Sequence, residues 1–178
     1  SWFKKSLMLI INNKRFNNKI SYSIINESKL WSKRAPRVKK IINLVLKKSN
    51  YFINKKFSNY IINFLLTDNK GIKYFNRIYR RKHNATDVLA FISEKRIDKY
   101  VNLRFCDIVL SGQIIKKNSK KIKIDFYDHL THIIIHALLH SNGYKHGTKK
   151  ERNIMQNREI MILKELKIEN PYQYNEKR

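Results

Sequence analysis

Two histidines one helical turn apart, a glycine three residues on and a third histidine three residues beyond it set the tightest limit on how this chain folds. The segment is His136-Ala137-Leu138-Leu139-His140-Ser141-Asn142-Gly143-Tyr144-Lys145-His146. Residues four apart share a helix face, so His136 and His140 aim two imidazoles at one point. Gly143 supplies the helix stop, because it takes left-handed backbone angles without a steric penalty. The chain then doubles back and delivers His146. Three protein ligands with a fourth position open is the pattern of a catalytic zinc site, with one Zn2+ per chain, rather than of a structural one. His132, His136 and His140 form a competing ladder. Its ends are eight residues apart, about 12 Å of helix rise, against a Zn–N bond of about 2 Å. His132 is therefore read as a partner to a ligand, an RNA contact or an ordinary helix histidine.

The charge balance is extreme. Lys and Arg number 39 against 13 Asp and Glu, a net +26 on 178 residues. Such a field attracts polyanions, and nucleic acid is the first expectation. The chain is also rich in Lys, Asn and Ile, which AT-rich codons favour, so the charge supports this reading without carrying it. An acidic membrane surface would need a long amphipathic basic helix, and a span would need about 20 apolar residues. Neither is present, so no membrane partner is expected. One cysteine, Cys106, excludes an internal disulfide and a CxxC zinc ribbon, and fits a reducing compartment: the cytoplasm, or an organelle of bacterial descent. The start, Ser1-Trp2-Phe3-Lys4-Lys5 and a short apolar run, lacks a small-residue cleavage site, so a secretory leader is not expected. A first residue other than Met suggests a processed or truncated start, or an alternative start codon.

The pattern along the chain predicts an α+β fold. Ile20–Ile25, Tyr60–Thr67, Asp87–Phe91 and Asp107–Ser111 read as strands, with a polar connection between Phe91 and Leu103. Pro36 opens a helix with Val38, Ile41, Ile42, Val45 and Leu46 on one face. Asp68 caps a second that runs to Arg80 with Ile72, Phe75, Ile78 and Tyr79 as its apolar stripe. A third starts within Gln113–Lys117. Asp125 and Asp128 lie at the positive end of the histidine-bearing helix. Thr148-Lys149-Lys150-Glu151 is a capping box for the last, whose apolar residues are Ile154, Met155, Met161, Ile162 and Leu166. The expected architecture is a small, mostly four-stranded mixed sheet with helices packed on it and the zinc site at a helix end and its following turn. Residues 19–168 make one metallohydrolase-like domain. Residues 1–18 form a basic segment expected to be poorly ordered, and 169–178 a polar tail expected to fray.

Three blocks of residues are similar to a known family. The first is Leu66 to Arg80 followed by Ala85-Thr86-Asp87-Val88-Leu89-Ala90-Phe91. The second is Cys106-Asp107-Ile108-Val109-Leu110-Ser111. The third is His132 to His146, with Glu151 and Glu159 behind it. Together they resemble the bacterial YbeY endoribonucleases, single-domain metal-dependent factors of ribosomal RNA maturation. The resemblance covers about Leu65 to Leu163. It implies His136, His140 and His146 as metal ligands and catalytic centre, and Arg80 as a catalytic cleft residue that meets an RNA phosphate. It implies a zinc-dependent, single-strand-specific endoribonuclease acting in 16S-type rRNA 3′-end maturation and ribosome quality control. The partners it implies are small-subunit rRNA precursor and the ribosome or its small-subunit proteins. Five residues depart from the family pattern. Ala137 stands for Gly, Lys145 for an acidic residue, Arg81 and His83 for Gly and Asp, and Cys106 for Gly.

A protease of the H-E-x-x-H type carries its general base beside the first ligand. Ala137 occupies that position, which argues against a peptidase and leaves the base unwritten. Zinc lowers the pKa of water to about 7 unaided and also polarises phosphoryl oxygens; the 2′-OH of RNA is an alternative nucleophile. Arg80 has the guanidinium that forks onto phosphate, within the run Arg77, Arg80, Arg81, Lys82. Asp87 and Asp107 are candidates to orient a ligand imidazole, or else turn and cap residues. The 19 Tyr and Phe residues are mostly at core spacing. The alternative is a non-catalytic, zinc-stabilised, RNA-binding ribosome-assembly factor.

Overall fold

The run Tyr60-Ile61-Ile62-Asn63-Phe64-Leu65-Leu66-Thr67 shows no polar alternation, and every residue of it is buried. A strand of that kind is covered on both faces. The computed structural model describes residues 14–16, 19–54, 56–97, 99 and 102–173, with this run at the middle of a mixed sheet. In chain order the elements are β1 (Lys14–Phe16), β2 (Ile20–Asn26), α1 (Lys29–Ser32), α2 (Ala35–Leu46), β3 (Asn59–Thr67), α3 (Asn69–Arg80), β4 (Val88–Arg96), β5 (Asn102–Ser111), α4 (Gly112–Ile122), α5 (Phe126–His140) and α6 (Lys149–Glu165). The sheet order is β1-β2-β3-β5-β4. β2, β3 and β5 run parallel, and β1 and β4 are antiparallel to their neighbours at the two edges.

The α+β fold with a four-stranded mixed sheet is as expected, β2 to β5 being its long strands. β1 adds three residues beside β2. It falls in the 1–18 segment expected to be poorly ordered. The rest of that segment up to residue 18 lies outside the described residues, as do 174–178 of the tail.

Alternation along the strands sorts the helices into layers. Ile62, Phe64 and Leu66 of β3, with Cys106, Ile108 and Leu110 of β5, pack with Val38, Ile42 and Val45 of α2, Ile134 and Leu138 of α5, and Met155 and Ile162 of α6. The residues between them, Leu65 and Val109, pack with Leu89 and with Ile72 and Phe75 of α3. So α3 covers one face and α2, α5 and α6 the other. A polar row crosses the α3 side: Ser23 donates to Asn63 Oδ1 (2.7 Å), and Asn63 Nδ2 donates to the buried Asp107 (2.7 Å).

The helix ends obey their capping residues. Asp68 accepts from the Gly71 N–H (2.9 Å), Asp125 from those of Tyr127 (2.8 Å) and Asp128 (3.3 Å), and Thr148 with Glu151 forms the reciprocal capping box. Two expectations are corrected. The polar connection after Phe91 is strand as far as Arg96, pairing with β5 from Asn102. β4 is an edge strand, and its outer half is exposed, so Ser93, Glu94, Lys95 and Arg96 carry no apolar alternation. The apolar stripes are also narrower than read: Ile78, Tyr79, Ile154 and Met161 are exposed. Among the described residues no helix is long and apolar enough to cross a membrane.

His129, one turn into α5, is buried, and neither of its ring nitrogens has a hydrogen-bond partner. Burial first, then the neighbouring His132, pushes its pKa down to about 4, with Asp87 pulling weakly the other way. The folded chain thus holds His129 neutral while the unfolded chain protonates it below about 6.5. The unfolded state binds more protons, so stability is lost as pH falls through that window. His129 alone should cost about 2 kcal/mol at about pH 5 relative to neutrality. Urea titrations of metal-free protein should show His129→Phe losing that much less stability on acidification; equal losses in both proteins would contradict this account.

Candidate metal centre

The last turn of α5 carries the site, and the turn that ends the helix also aims it. Gly143 has φ +92°. The Gly143 N–H donates to the His140 carbonyl (3.0 Å) and the Tyr144 N–H to the Leu139 carbonyl (3.3 Å). These two bonds around a left-handed residue form a Schellman closure. It swings the Tyr144 carbonyl over His140, whose Nδ1 donates to it (2.8 Å), and two residues later presents His146. One ring nitrogen from each of His136, His140 and His146 lies within 4.8 Å of the other two. Ring centroids are 4.5 Å apart for His136–His140, 4.7 Å for His140–His146 and 5.6 Å for His136–His146.

The sheet anchors this helix end. Tyr60 at the start of β3 donates to Asn142 Oδ1 (2.8 Å). Arg104 of β5 donates from Nε to the Ser141 carbonyl (2.6 Å). Ser141 Oγ donates to the Ala137 carbonyl (2.7 Å) and stands 2.6 Å from Cys106 Sγ, which is then the donor. Burial pushes the Cys106 thiol up to about 12, so it is a packing and hydrogen-bonding group, not a nucleophile.

Glu159 of α6 orients the first ligand. Its side chain is fully buried, and Oε1 accepts from His136 Nδ1 at 2.6 Å. Oε2 accepts from His132 Nε2 (3.2 Å) and from the Tyr172 hydroxyl. Burial alone would raise this carboxyl; the hydrogen bonds from His132, His136 and Tyr172 outweigh it and hold Glu159 down at about 2. An anionic acceptor on Nδ1 fixes the His136 tautomer, as the Tyr144 carbonyl fixes that of His140, and leaves both Nε2 lone pairs free. Burial, with His136 and His146 close by, lowers the pKa of His140, which favours the neutral form a metal needs. Three convergent imidazoles, two with locked tautomers, match the donor set of a zinc site with an open position.

His136, His140 and His146 are thus brought together as the spacing predicts, and His132 is the partner of a ligand's partner. Arg80 is not part of this cluster. It is exposed in the last turn of α3, in the layer on the other face of the sheet, beside Arg81 in the left-handed conformation. Asp107 binds Asn63, and Asp87 closes its own turn through Val88 N (2.9 Å) and Asn118 (3.2 Å). The orienting roles belong to Glu159 and the Tyr144 carbonyl. Tyr172 lies in the tail expected to fray, yet it completes the Glu159 shell. The signal for Glu159 was a glutamate spaced between Met155 and Ile162, on the helix face that those residues bury.

A family model for Endoribonuclease YbeY matches residues 23–167. The Endoribonuclease YbeY of Pelagibacter ubique is 34% identical over 151 residues, covering 83% of this chain and 97% of that one. That of Ruthia magnifica is 38% identical over 109 residues, covering 60% and 73%. A solution structure of a Thermotoga maritima protein aligns with TM-score 0.49 and 23% identity over 82% of this chain and 91% of that one.

Glu159→Gln should lower zinc affinity about 10- to 100-fold while the chain stays folded, and Tyr172→Phe should have a smaller effect in the same direction. Competition with a chromogenic chelator measures both. Unchanged affinity in folded Glu159→Gln would remove the carboxylate from the account.

Proposed function

The chain belongs to the YbeY family of endoribonucleases, and on that premise we propose that it is a zinc-dependent, single-strand-specific endoribonuclease that matures the 3′ end of small-subunit ribosomal RNA and serves ribosome quality control. It works in the cytoplasm, or in an organelle of bacterial descent, on precursor rRNA and beside small-subunit proteins. The observation that carries this reading is the convergence of His136, His140 and His146 with the first two held by Glu159 and the Tyr144 carbonyl.

Zinc held by the three histidines would supply Lewis acidity toward a phosphoryl oxygen and lower the pKa of water toward neutrality. The chain's own residues do the rest. Glu159 keeps the His136 imidazole in place; held at about 2 by three donors, it is too weak a base to take a proton near pH 7. Ala137 is buried and offers no base beside the first ligand. Arg80, with Arg77, Arg81 and Lys82, gives the RNA strand a cationic path, and Arg80 forks onto a backbone phosphate along it.

Metal-loaded protein should cleave a 3′-extended small-subunit rRNA precursor and leave duplex RNA intact. His140→Ala or a chelator should abolish cleavage. Arg80→Ala should slow it at least about tenfold with zinc still bound; zinc loss in that variant would make Arg80 structural. RNA binding without cleavage by the zinc-loaded wild type would favour the zinc-stabilised assembly factor instead.

A further inference from the structure

A cleft of about 370 Å3 opens on the side of the turn that joins the second and third ligands. Asn142 and Tyr144 of that turn form one wall, and Tyr51, Phe52, Ile53 and Asn54 form the other. The volume lies within the roughly 300–1,000 Å3 of small-molecule sites. Three of these six side chains are aromatic. The Arg158 guanidinium stands 5.8 Å from the Tyr51 ring and 5.9 Å from the Tyr144 ring. It is a planar cation within 6 Å of both ring centroids, and all three side chains are half-buried. Tyr51 is tied down by its hydroxyl, which donates to Glu165, itself paired with Lys48 (2.5 Å). Tyr144 is tied down by the helix closure, and its carbonyl holds His140. Arg158 precedes Glu159, the residue that holds His136. Both sides of the cleft are therefore mechanically continuous with the metal centre.

Aromatic rings and an arginine plane are the surfaces on which unpaired bases stack, and a cation in the same place answers the phosphate that comes with the base. We infer that this cleft is a base-binding subsite. One unpaired nucleotide of the RNA, adjacent to the bond at the metal centre, leaves its stack and lodges against the Tyr144 ring, with the Arg158 cation beside that ring and Tyr51 closing the far side. A paired base is not free to enter, so the subsite selects single-stranded RNA. The inference rests on the endoribonuclease reading and adds the residues that would give it strand selectivity. Stacking does not depend on which base is presented, so this contact is tolerant of sequence.

The test is a binding cycle on zinc-loaded full-length protein, with single-stranded oligoribonucleotides carrying one abasic position at each site in turn, followed by fluorescence anisotropy. At one position the abasic change should weaken wild-type binding about tenfold, the size of one base–aromatic stack. Tyr144→Ala and Arg158→Ala should each weaken binding of the intact oligonucleotide about as much, and should make the abasic change at that position nearly silent. Zinc content and thermal unfolding verify that both variants are folded and loaded. Tyr51→Phe, which keeps the ring and loses only its tie to Glu165, should weaken binding less than Tyr51→Ala; equal losses would overturn stacking on this ring. Abasic and side-chain losses that simply multiply, or no sensitive position at all, would overturn the subsite. The endoribonuclease reading fails separately, if zinc-loaded wild type binds the oligonucleotides and cuts none; the cycle still decides the cleft in that case.

Discussion

One buried carboxylate organises the working end of this molecule. Glu159 brings a full negative charge into the interface between α5 and α6, at a site with no solvent exposure. An isolated charge there would be prohibitive. It is tolerated because His136, His132 and Tyr172 all aim donors at it. Those donors come from one helix and from the chain beyond another, so the charge fixes how α6 and the segment after it lie against α5. Removing one member of such a set leaves the others unpaired, at a cost of about 3–5 kcal/mol for a buried ionic group. The same bond that locks the packing sets the tautomer of the first ligand. Fold and site are therefore not separable at this residue.

The second ligand depends on a different device, the way α5 ends. Tyr60, Arg104 and Cys106 come from the two strands at the centre of the sheet, and each reaches the last turn of the helix or the residues just past it. The close of a helix is ordinarily its most mobile part, since its last carbonyls lack partners. Here the Ser141 carbonyl accepts from Arg104 and the Leu139 and His140 carbonyls from the turn itself. The site gains the rigidity of the sheet without being built on it, and the open side of the triad is left to solvent through His146.

The convergence of His136, His140 and His146 was legible because its information is local. Four-residue spacing, a glycine and a return of three residues all lie within one segment, and helix geometry converts them directly into convergence. The long central strands were legible for the same reason: burial on both faces writes itself as an unbroken apolar run. What stayed hidden depends on partners far apart in sequence. Glu159 is one glutamate among the charges of α6 until the fold turns it inward toward residues 23 and 27 positions earlier. Tyr172 sits in a polar tail, and only its hydroxyl's approach to Glu159 gives it a role. The outer half of β4 has no signature in the sequence because an edge strand needs no apolar alternation; its order comes from β5, and the Glu94–Arg104 pair across the two strands is not local. Arg80 is the opposite case. Its place at the end of α3 was read correctly, but the side of the sheet on which it stands follows from strand order, which helix periodicity does not contain.

The departures from the family pattern make physical sense once the contacts are known. A glycine in place of Cys106 would leave Ser141 without its thiol donor and a gap under the helix end. The cysteine fills both needs while its thiol, pushed up by burial, stays unreactive. Lys145 puts a positive charge next to the third ligand, the wrong sign for holding a cation. Yet Lys145 is exposed, where solvent and salt screen it. Its field also falls on Glu151, whose carboxyl is held below its usual value first by the Thr148 N–H of the capping box and, more weakly, by Lys145. The capping box thus does two jobs: it starts α6 in the register that buries Glu159, and it places an anion where the lysine needs one. In a chain of net charge +26, that arrangement lets the surface remain attractive to a polyanion while Glu159 keeps a buried negative charge directly behind the histidine cluster.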